Sequence, residues 1–306
     1  MAVTGAGALN QRQPLRVFRL IPGGTRTVLL VLPATAIFVI FFIVPTILLL
    51  AIAFNPSKVG VVDFSFSNLT LETFQRFFNR PLYWQALVRS VELSVVTAVL
   101  ALLLGYPLSY FVAKEQRPGR ANLYMILILS SMQLDLIIRM YGLMILMGDT
   151  GLINDTLLKW NLIDSPLPLM YNQFGVIVGM VQLALPFMIL SLIGVIQGIE
   201  PSLEEAARSL GASRLRTFLT ITFPMSMPGV LAGSLLVFAI AVGSYAVPVL
   251  MGGWRVIVTP MHIYQQVSEV GNWRFAAAIA CLLFGVSLAA VFVYHRYTQK
   301  YIGGLV

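Results

Sequence analysis

Long stretches without a charged side chain constrain this sequence of 306 residues more than any other feature. Five stretches, each long enough to cross a bilayer, contain no Asp, Glu, Lys or Arg, and a sixth is interrupted only by Asp135 and Arg139. Charged residues make up 10% of the sequence, whereas a soluble domain carries about 25%. So few charges cannot cover the surface of a soluble chain of this size. The sequence therefore predicts an all-α, polytopic membrane protein.

The uncharged stretches predict six transmembrane helices, because about 20 apolar residues cross a bilayer as a helix. The first stretch is longer than the hydrophobic region of a typical signal peptide, so we interpret it as a retained span. In the stretch before Arg255, Pro224 and Pro228 lie near the start and place the crossing after them. The predicted spans are 27–54, 93–113, 121–147, 174–199, 229–250 and 275–294, which form one domain between tails 1–26 and 295–306.

The basic residues predict the orientation of these spans. Of the 20 Lys and Arg residues, 12 fall in the two terminal tails and in segments 114–120 and 200–216, and seven fall on the opposite side. Connecting segments rich in Lys and Arg stay on the cytoplasmic side of a membrane. Both termini are therefore expected in the cytoplasm, where the excess positive charge also meets anionic membrane lipid.

Several classes of function are excluded or left without support. The basic residues are scattered rather than gathered in a stripe, which argues against a nucleic-acid partner. A single cysteine, Cys281, and two distant histidines offer neither a disulfide framework nor a metal site. The sequence contains no G-x-x-x-x-G-K-[ST] run to cradle phosphates. We therefore expect a protein that is not an enzyme and has no metal or cofactor of its own.

The loop before the fifth span does not have the composition of a simple connector. Ser202 and Glu205 have the spacing of a capping box, which predicts the start of a short helix. Gly211 stands where a left-handed C-terminal cap would end that helix. Ser213 is expected to cap a second short helix, which ends where Pro224 redirects the chain into the membrane.

Two interpretations of this loop are open. Ala206 and Ala207 are small and lie beside a glycine turn, so the surface of another protein can approach the backbone closely. That arrangement favours a docking helix. A helix pair lying on the lipid surface also fits, since the capping box explains Glu205 without any partner.

The same loop carries a long, gapped motif. Its order is Glu-Ala-Ala, three residues, Gly, nine residues and Ile-x-Phe-Pro, which falls on Glu205, Ala206, Ala207, Gly211, Ile221, Phe223 and Pro224. The motif resembles the EAA loop of binding-protein-dependent ABC importer permeases, with phenylalanine in place of a leucine. The resemblance implies a type I ABC importer permease fold and a coupling helix that inserts into a cytoplasmic ATPase subunit. It assigns coupling to Glu205, Ala206, Ala207, Gly211 and Pro224, and leaves ATP and Mg²⁺ to that separate subunit.

A wider resemblance covers nearly all of residues 25–300. The segments similar to spermidine/putrescine permeases are Gly105–Lys114, Leu136–Leu143, Leu185–Leu190 and Leu250–Gly253. The resemblance implies a bacterial inner-membrane subunit that passes a polyamine or similar organic cation from a periplasmic binding protein to the cytoplasm by alternating access. It also implies a second homologous permease subunit and two ATPase subunits. Importers of opines and other small organic ions share much of this pattern, so those substrates remain alternatives.

The third predicted span carries two charges. Because a helix rises about 1.5 Å per residue, Asp135 is expected at membrane depth and Arg139 near the outer boundary. Their i, i+4 spacing allows an ion pair within one helix. Alternatively, Asp135 attracts an ammonium group in the substrate pathway, since intramembrane ionisable residues usually face a cavity. The resemblance does not require an acid at this position.

The last outer segment adds three candidates for the substrate pathway. Glu269 offers a negative charge, and Trp254 and Trp273 offer cation–π contact with an organic cation. All tryptophans of the chain fall in outer segments, so anchoring at the membrane interface and contact with a binding protein are the alternative for these three residues. An ion-coupled secondary transporter is a further alternative for the whole chain, although it gives the loop before the fifth span no role.

Overall fold

The computed structural model describes residues 24–56 and 69–302, with side chains for 31–56 and 69–296. Within these residues the chain is helical and has no strand. Six helical segments are long and apolar enough to cross a membrane, which confirms the predicted number of spans. Most of the predicted N-terminal tail and the last four residues lie outside the described residues.

The chain divides into two compact units, Met1–Leu48 and Leu49–Val306. The described helices are α1 (Gly24–Phe38), α2 (Val44–Ala53), α3 (Glu72–Phe78), α4 (Pro81–Ala113), α5 (Pro118–Gln133), α6 (Leu136–Met147), α7 (Leu152–Lys159), α8 (Gln173–Gln197), α9 (Pro201–Ser209), α10 (Arg214–Thr217), α11 (Phe223–Val242), α12 (Thr259–Ser268) and α13 (Trp273–Ile302). Further helical turns are the π turns Val39–Ile43, Phe218–Thr222 and Pro248–Gly252 and the 3₁₀ turn Gly253–Arg255.

Prolines mark the starts of several of these helices. Pro81, Pro118, Pro201 and Pro260 stand in the first turns of α4, α5, α9 and α12. A proline fits there because the first N–H groups of a helix have no intrahelical partner and the φ of proline is already helical. The positions of these prolines in the sequence therefore indicate where the four helices start.

Two prolines inside longer helices follow π turns. One π turn, Val39–Ile43, comes shortly before Pro45, and the other, Phe218–Thr222, comes shortly before Pro224. In both turns the N–H that follows bonds to the carbonyl five residues back. A proline has no N–H for the carbonyl four residues back, and its ring clashes with that carbonyl. The wider turn accommodates the proline without breaking the helix.

The first, fourth and sixth predicted spans are confirmed. They correspond to Val31–Ala53, Gln173–Gln197 and Trp273–Arg296. Each of these stretches is apolar over its whole length, so length and hydrophobicity are enough to place it.

The second span starts well before its predicted start at Leu93. α4 has 33 residues, which corresponds to about 50 Å of helix, and its early turns carry Arg89 and Glu92. The prediction excluded these turns because of the two charges. In the structure Arg89 donates from Nη1 to the carbonyl of Ile257 at 3.3 Å, and Glu92 is exposed. The N-terminal extension of α4 therefore holds the last outer segment in place.

The third predicted span, 121–147, is not one helix, and that prediction was wrong. α5 ends at Gln133, and Leu134 and Asp135 have ψ values of 133° and 141° before α6 begins. The candidate range with sufficient apolar length is Leu136–Lys159, which comprises α6 and α7 with a break between them. Hydrophobicity alone does not show this break. The sequence does not distinguish an acidic residue inside a continuous helix from one that caps the start of a new helix.

The fifth span begins and ends earlier than the predicted 229–250. Its helical segment runs through Arg214–Val242. The prediction that Pro224 redirects the chain was therefore wrong. Pro224 lies within this helical segment, just after the π turn Phe218–Thr222. The segment ends at a C-cap residue, Gly243, whose N–H bonds to the carbonyl of Ala241.

The core of the unit Leu49–Val306 is built by α4, α8 and α11. Gly229 and Gly233 of α11 form a G-x-x-x-G pair, which lets two helix backbones approach closely in a membrane. A Cβ on Gly229 would lie 3.1 Å from the carbonyl oxygen of Ser191 on α8. The Oγ of Ser191 donates to the carbonyl of Gly229 at 3.1 Å. Buried residues around this contact are Ala98, Ala101, Tyr106, Ala184, Met188, Leu192, Ile196, Val230 and Val237.

We expect Gly229→Val to destabilise the protein by about 1–3 kcal/mol, the usual cost of forcing extra atoms into a packed core. The measurement is the midpoint of thermal unfolding in detergent. Gly285→Val is the matched control, because a Cβ on Gly285 of α13 meets nothing within 4 Å. Equal midpoints for the two variants would contradict the close contact between α8 and α11.

Candidate functional site

The loop before the fifth span folds as α9 and α10, joined by a left-handed glycine. Gly211 has a φ of +87°, a conformation that side chains with a Cβ rarely adopt. Its N–H bonds to the carbonyl of Arg208, and the N–H of Ala212 bonds to the carbonyl of Ala207. These two bonds form the Schellman arrangement at a helix end. The predicted C-terminal cap at Gly211 is confirmed.

The two predicted N-terminal caps have different outcomes. α10 is capped as predicted, because the Oγ of Ser213 accepts from the N–H of Arg216 at 3.3 Å. The predicted capping box of Ser202 and Glu205 is wrong. Ser202 lies within α9 and its Oγ donates to the carboxylate of Glu200 at 3.1 Å. The proline after Glu200 starts the helix earlier, so Glu200 takes the N-cap position without a side-chain cap.

One surface of α9 and α10 is exposed and partly apolar. Leu210 and Leu215 are 89% and 68% exposed. The carboxylate of Glu205 is exposed and makes no hydrogen bond or ion pair within the described residues. Sequence reasoning missed these leucines. An apolar side chain beside a glycine turn in a polar loop is the pattern that could have indicated them. We call this surface the tip surface; it consists of Glu205, Ala206, Ala207, Leu210, Gly211 and Leu215.

A second glutamate anchors α9 to the membrane helices. The Oε1 of Glu204 lies 2.8 Å from the Nζ of Lys114, the residue after α4. The same oxygen accepts a hydrogen bond of 2.7 Å from the Oγ1 of Thr222, at the base of α11. The side chain of Glu204 is only 18% exposed. Sequence reasoning missed this residue, because the motif singles out the neighbouring Glu205.

The surroundings of Glu204 keep it ionised. Burial acts to raise the pKa of this carboxyl, but hydrogen bonds from Lys114 and Thr222 and the charges of Lys114 and Arg208 lower it below the ordinary value. Because the pKa is lower in the folded protein, the stabilisation is complete above the ordinary carboxyl pKa. It is lost only as the pH falls through the lowered value. The anchor is therefore intact at neutral pH.

An aromatic cluster fixes the base of α11 behind this anchor. Tyr106 of α4 shares a hydrogen bond of 2.6 Å with Ser226 of α11. The rings of Phe218 and Phe223 each lie 5.6 Å from the ring of Tyr106. Pro224 is half-buried in this base. Of the predicted coupling residues, Glu205, Ala206 and Gly211 are exposed and Ala207 is half-buried in the tip surface, whereas Pro224 lies outside it.

Asp135 and Arg139 do not form the ion pair that their spacing would allow in a continuous helix. Asp135 is the N-cap of α6, and its Oδ1 accepts from the N–H groups of Ile137 at 2.8 Å and Ile138 at 3.4 Å. The Nε of Arg139 is buried and has no hydrogen-bond partner among the described residues. The break before α6 turns the carboxylate toward the backbone, so the i, i+4 geometry of a continuous helix does not apply. Asp135 itself is exposed.

Two of the three outer candidates lie in one pocket. Trp254 and Glu269 line a pocket between α12 and the turns that follow α11, and Trp273 at the start of α13 does not line it. The other polar and aromatic residues that line the pocket are Tyr245, Tyr264 and Gln265. Sequence reasoning missed these three because they come from segments that meet only in the folded chain.

Known proteins show which family this fold and loop belong to. Residues 23–302 match the family of the binding-protein-dependent transport system inner membrane component. The chain belongs to this family. The spermidine/putrescine transport system permease protein PotB of Haemophilus influenzae is 33% identical over 84% of the chain and 89% of that protein. The protein of the same name from Escherichia coli (strain K12) is 35% identical over 84% of the chain and 92% of that protein.

A solved structure has the same fold. A chain of a bacterial alginate ABC transporter, in complex with an alginate pentasaccharide-bound periplasmic protein, aligns with a TM-score of 0.67 at 18% identity, over 90% of this chain and 94% of that chain. The type I importer permease fold is therefore confirmed. This chain is a multi-pass permease subunit of an ABC importer, not an enzyme, and ATP hydrolysis belongs to a separate subunit. The alternative of an ion-coupled secondary transporter is overturned.

We expect Glu204→Gln to loosen α9, while Glu205→Gln leaves it as ordered as before. A hydrogen bond to a charged group contributes about 1.5–3 kcal/mol, so amide hydrogen exchange in α9 should become roughly tenfold faster when the anchoring charge is removed. The two glutamates are adjacent, but only Glu204 contacts Lys114 and Thr222. Equal exchange in the two variants, measured by mass spectrometry, would contradict the anchor.

Proposed function

We propose that this chain passes a polyamine or a similar small organic cation from a periplasmic binding protein to the cytoplasm, with ATPase subunits docked on the tip surface. Family membership gives the class of transporter. Similarity to two polyamine permeases over 84% of the chain supports the class of substrate. The observation that carries the coupling role is the exposed tip surface, held from behind by Glu204.

The tip surface has the properties of a contact for another protein. Leu210 and Leu215 project into solvent, and burying such side chains gains about 1.5–3 kcal/mol each. Ala206 and Gly211 present almost no side chain, so a partner can approach the backbone of α9. Glu205 adds one unpaired charge that a basic or polar group of the partner can match. An ATPase groove of this character would bury the leucines and pair the glutamate.

The anchor behind the tip surface gives the docked subunit a hold on the membrane helices. Glu204 contacts both the residue after α4 and the base of α11. A displacement of α9 by the ATPase is therefore passed to both helices at once. These helices share a core with α8, so the movement of α9 becomes a movement of the core.

We expect Glu205→Lys and Leu210→Asp to abolish copurification of the untagged ATPase with this subunit. Both changes alter only exposed side chains, so the purified permease should keep its thermal unfolding midpoint. Glu115→Lys is the matched control, because it reverses an acidic charge on the same side of the membrane but outside the tip surface. Undiminished ATPase retention in Glu205→Lys and Leu210→Asp would overturn the docking role.

The remaining partners and the orientation follow from the same assignment. With the tip surface and most basic residues on one side, both termini face the cytoplasm of a bacterial cell, and the subunit lies in the inner membrane. A second homologous permease subunit completes the translocation pathway. Ile126 on α5 and Ile138 on α6 are exposed and give an apolar surface to that subunit or to lipid.

The break between α5 and α6 offers a negative charge to a cationic substrate. Asp135 is exposed at this break and uses one carboxylate oxygen for the backbone of α6. The second oxygen and the negative charge remain available to an ammonium group. No described cation neutralises this carboxylate, since Arg139 does not pair with it.

We expect Asp135→Asn to slow spermidine uptake by the complete transporter in liposomes several-fold, while binding-protein docking is unchanged. Asparagine also caps helices well, so this change removes the charge and keeps the helix start. Asp164→Asn, at an exposed loop acid, is the control. Unchanged uptake in Asp135→Asn would remove Asp135 from the pathway. Uptake of an anionic opine in place of any polyamine would overturn the proposed substrate.

A further inference from the structure

The pocket beside α12 has an aromatic wall. The rings of Tyr245 and Tyr264 lie 4.8 Å apart with an interplanar angle of 33°. Trp254 stands at the rim and is 70% exposed. Gly253 precedes it with a φ of +56° and a ψ of −147°, a conformation that belongs almost entirely to glycine. This glycine turns the chain out of the π turn and places the indole at the mouth of the pocket.

The pocket has a single charged group among its described lining residues. Glu269 is the charged member of the lining, and Gln265 adds a neutral polar group. Burial, together with the neighbouring Tyr264 and Glu269, raises the pKa of Tyr245 above its ordinary value, which agrees with a negative charge acting on the pocket. The pocket is therefore negative and aromatic, the combination that binds organic cations.

The position of Glu269 is unfavourable without a cation. It is the C-cap residue of α12, where the partial negative charge of the helix end disfavours a carboxylate. Its side chain has no hydrogen bond or ion pair within the described residues. A bound cation would satisfy both the carboxylate and the helix end.

The pocket stands on a well-packed base. The Oγ of Ser90 on α4 accepts from the N–H of Thr259 at 2.8 Å, which satisfies one free donor at the start of α12. Tyr83 packs edge-on against His262 of α12, with ring centroids 5.0 Å apart. α12 is therefore held against α4, and the pocket is formed before any ligand arrives.

We propose that this pocket, formed by Tyr245, Trp254, Tyr264, Gln265 and Glu269, binds a primary ammonium group of the transported cation. The assignment of the ligand as substrate rests on the proposed function. The carboxylate of Glu269 pairs with the ammonium, and the tyrosine and tryptophan faces contact the adjacent methylene groups. The ammonium class is read from the chemistry of the pocket itself.

The first test measures the charge preference of the pocket directly. In the assembled transporter, Cys281→Ser removes the single native cysteine and Gln265→Cys places a thiol in the pocket. The probes are aminoethyl methanethiosulfonate, which carries an ammonium, and the anionic sulfonatoethyl reagent. The measured quantity is the rate with the cationic reagent divided by the rate with the anionic reagent. We expect this ratio to be about fivefold higher at Gln265→Cys than at a control site, as for a desolvated cation–π contact of about 1 kcal/mol.

The control thiol is Trp160→Cys, at an outer residue that is 69% exposed and lies outside the pocket. Addition of Glu269→Gln should abolish the preference at Gln265→Cys and leave the control unchanged. Absence of a preference at Gln265→Cys, or a preference that survives Glu269→Gln, overturns the pocket. This result does not depend on the identity of the substrate.

The second test measures spermidine uptake by the complete transporter in liposomes. We expect Glu269→Gln and Trp254→Leu each to lower uptake at limiting spermidine about fivefold, while Trp160→Leu and Asp164→Asn do not. Normal uptake in both Glu269→Gln and Trp254→Leu would contradict a role of the pocket in transport. If the unaltered transporter takes up no spermidine, the proposed substrate falls, and the labelling result alone decides whether the pocket binds ammonium groups.

Discussion

The close contact of α11 with α8 determines where both candidate sites lie. Gly229 and Gly233 let the two backbones approach, and α4 packs against the same core. At one end of this three-helix core, α4 and α11 meet Glu204 of α9. At the other end, α4 holds the start of α12 through Ser90. The tip surface and the pocket beside α12 are thus attached to opposite ends of one packed unit.

The number and approximate positions of the spans could be predicted from the sequence, because a bilayer demands long apolar stretches. The errors arise at charged residues and at a proline, because the sequence alone does not show whether such a residue ends a helix, begins one or lies inside one. The charges of Arg89 and Glu92 predict a span that starts at Leu93, but α4 starts earlier and Arg89 bonds to the carbonyl of Ile257, which is far away in the sequence. The apolar pattern predicts Asp135 inside a helix, whereas Asp135 is the N-cap of α6. Pro224 predicts a break in the helix, but the preceding π turn accommodates it.

The coupling loop could be predicted to the level of its turn but not of its contacts. Gly211 and Ser213 act locally, so their roles follow from residue type and spacing. The predicted capping box is absent because α9 already starts at Pro201, which places Ser202 inside the helix. Glu204 is the anchor and Glu205 is exposed because the side of α9 that carries Glu204 contacts Lys114. That contact depends on where α4 ends in the folded chain. The pocket depends in the same way on Tyr245 and Tyr264, which meet only after α12 has folded back.

The double contact of Glu204 limits which helices can separate when the transporter changes state. One carboxylate holds α9 to both α4 and α11, so a force on α9 is shared between them and does not pry them apart. Moving the end of α4 away from the start of α11 would therefore require breaking at least one of these two contacts.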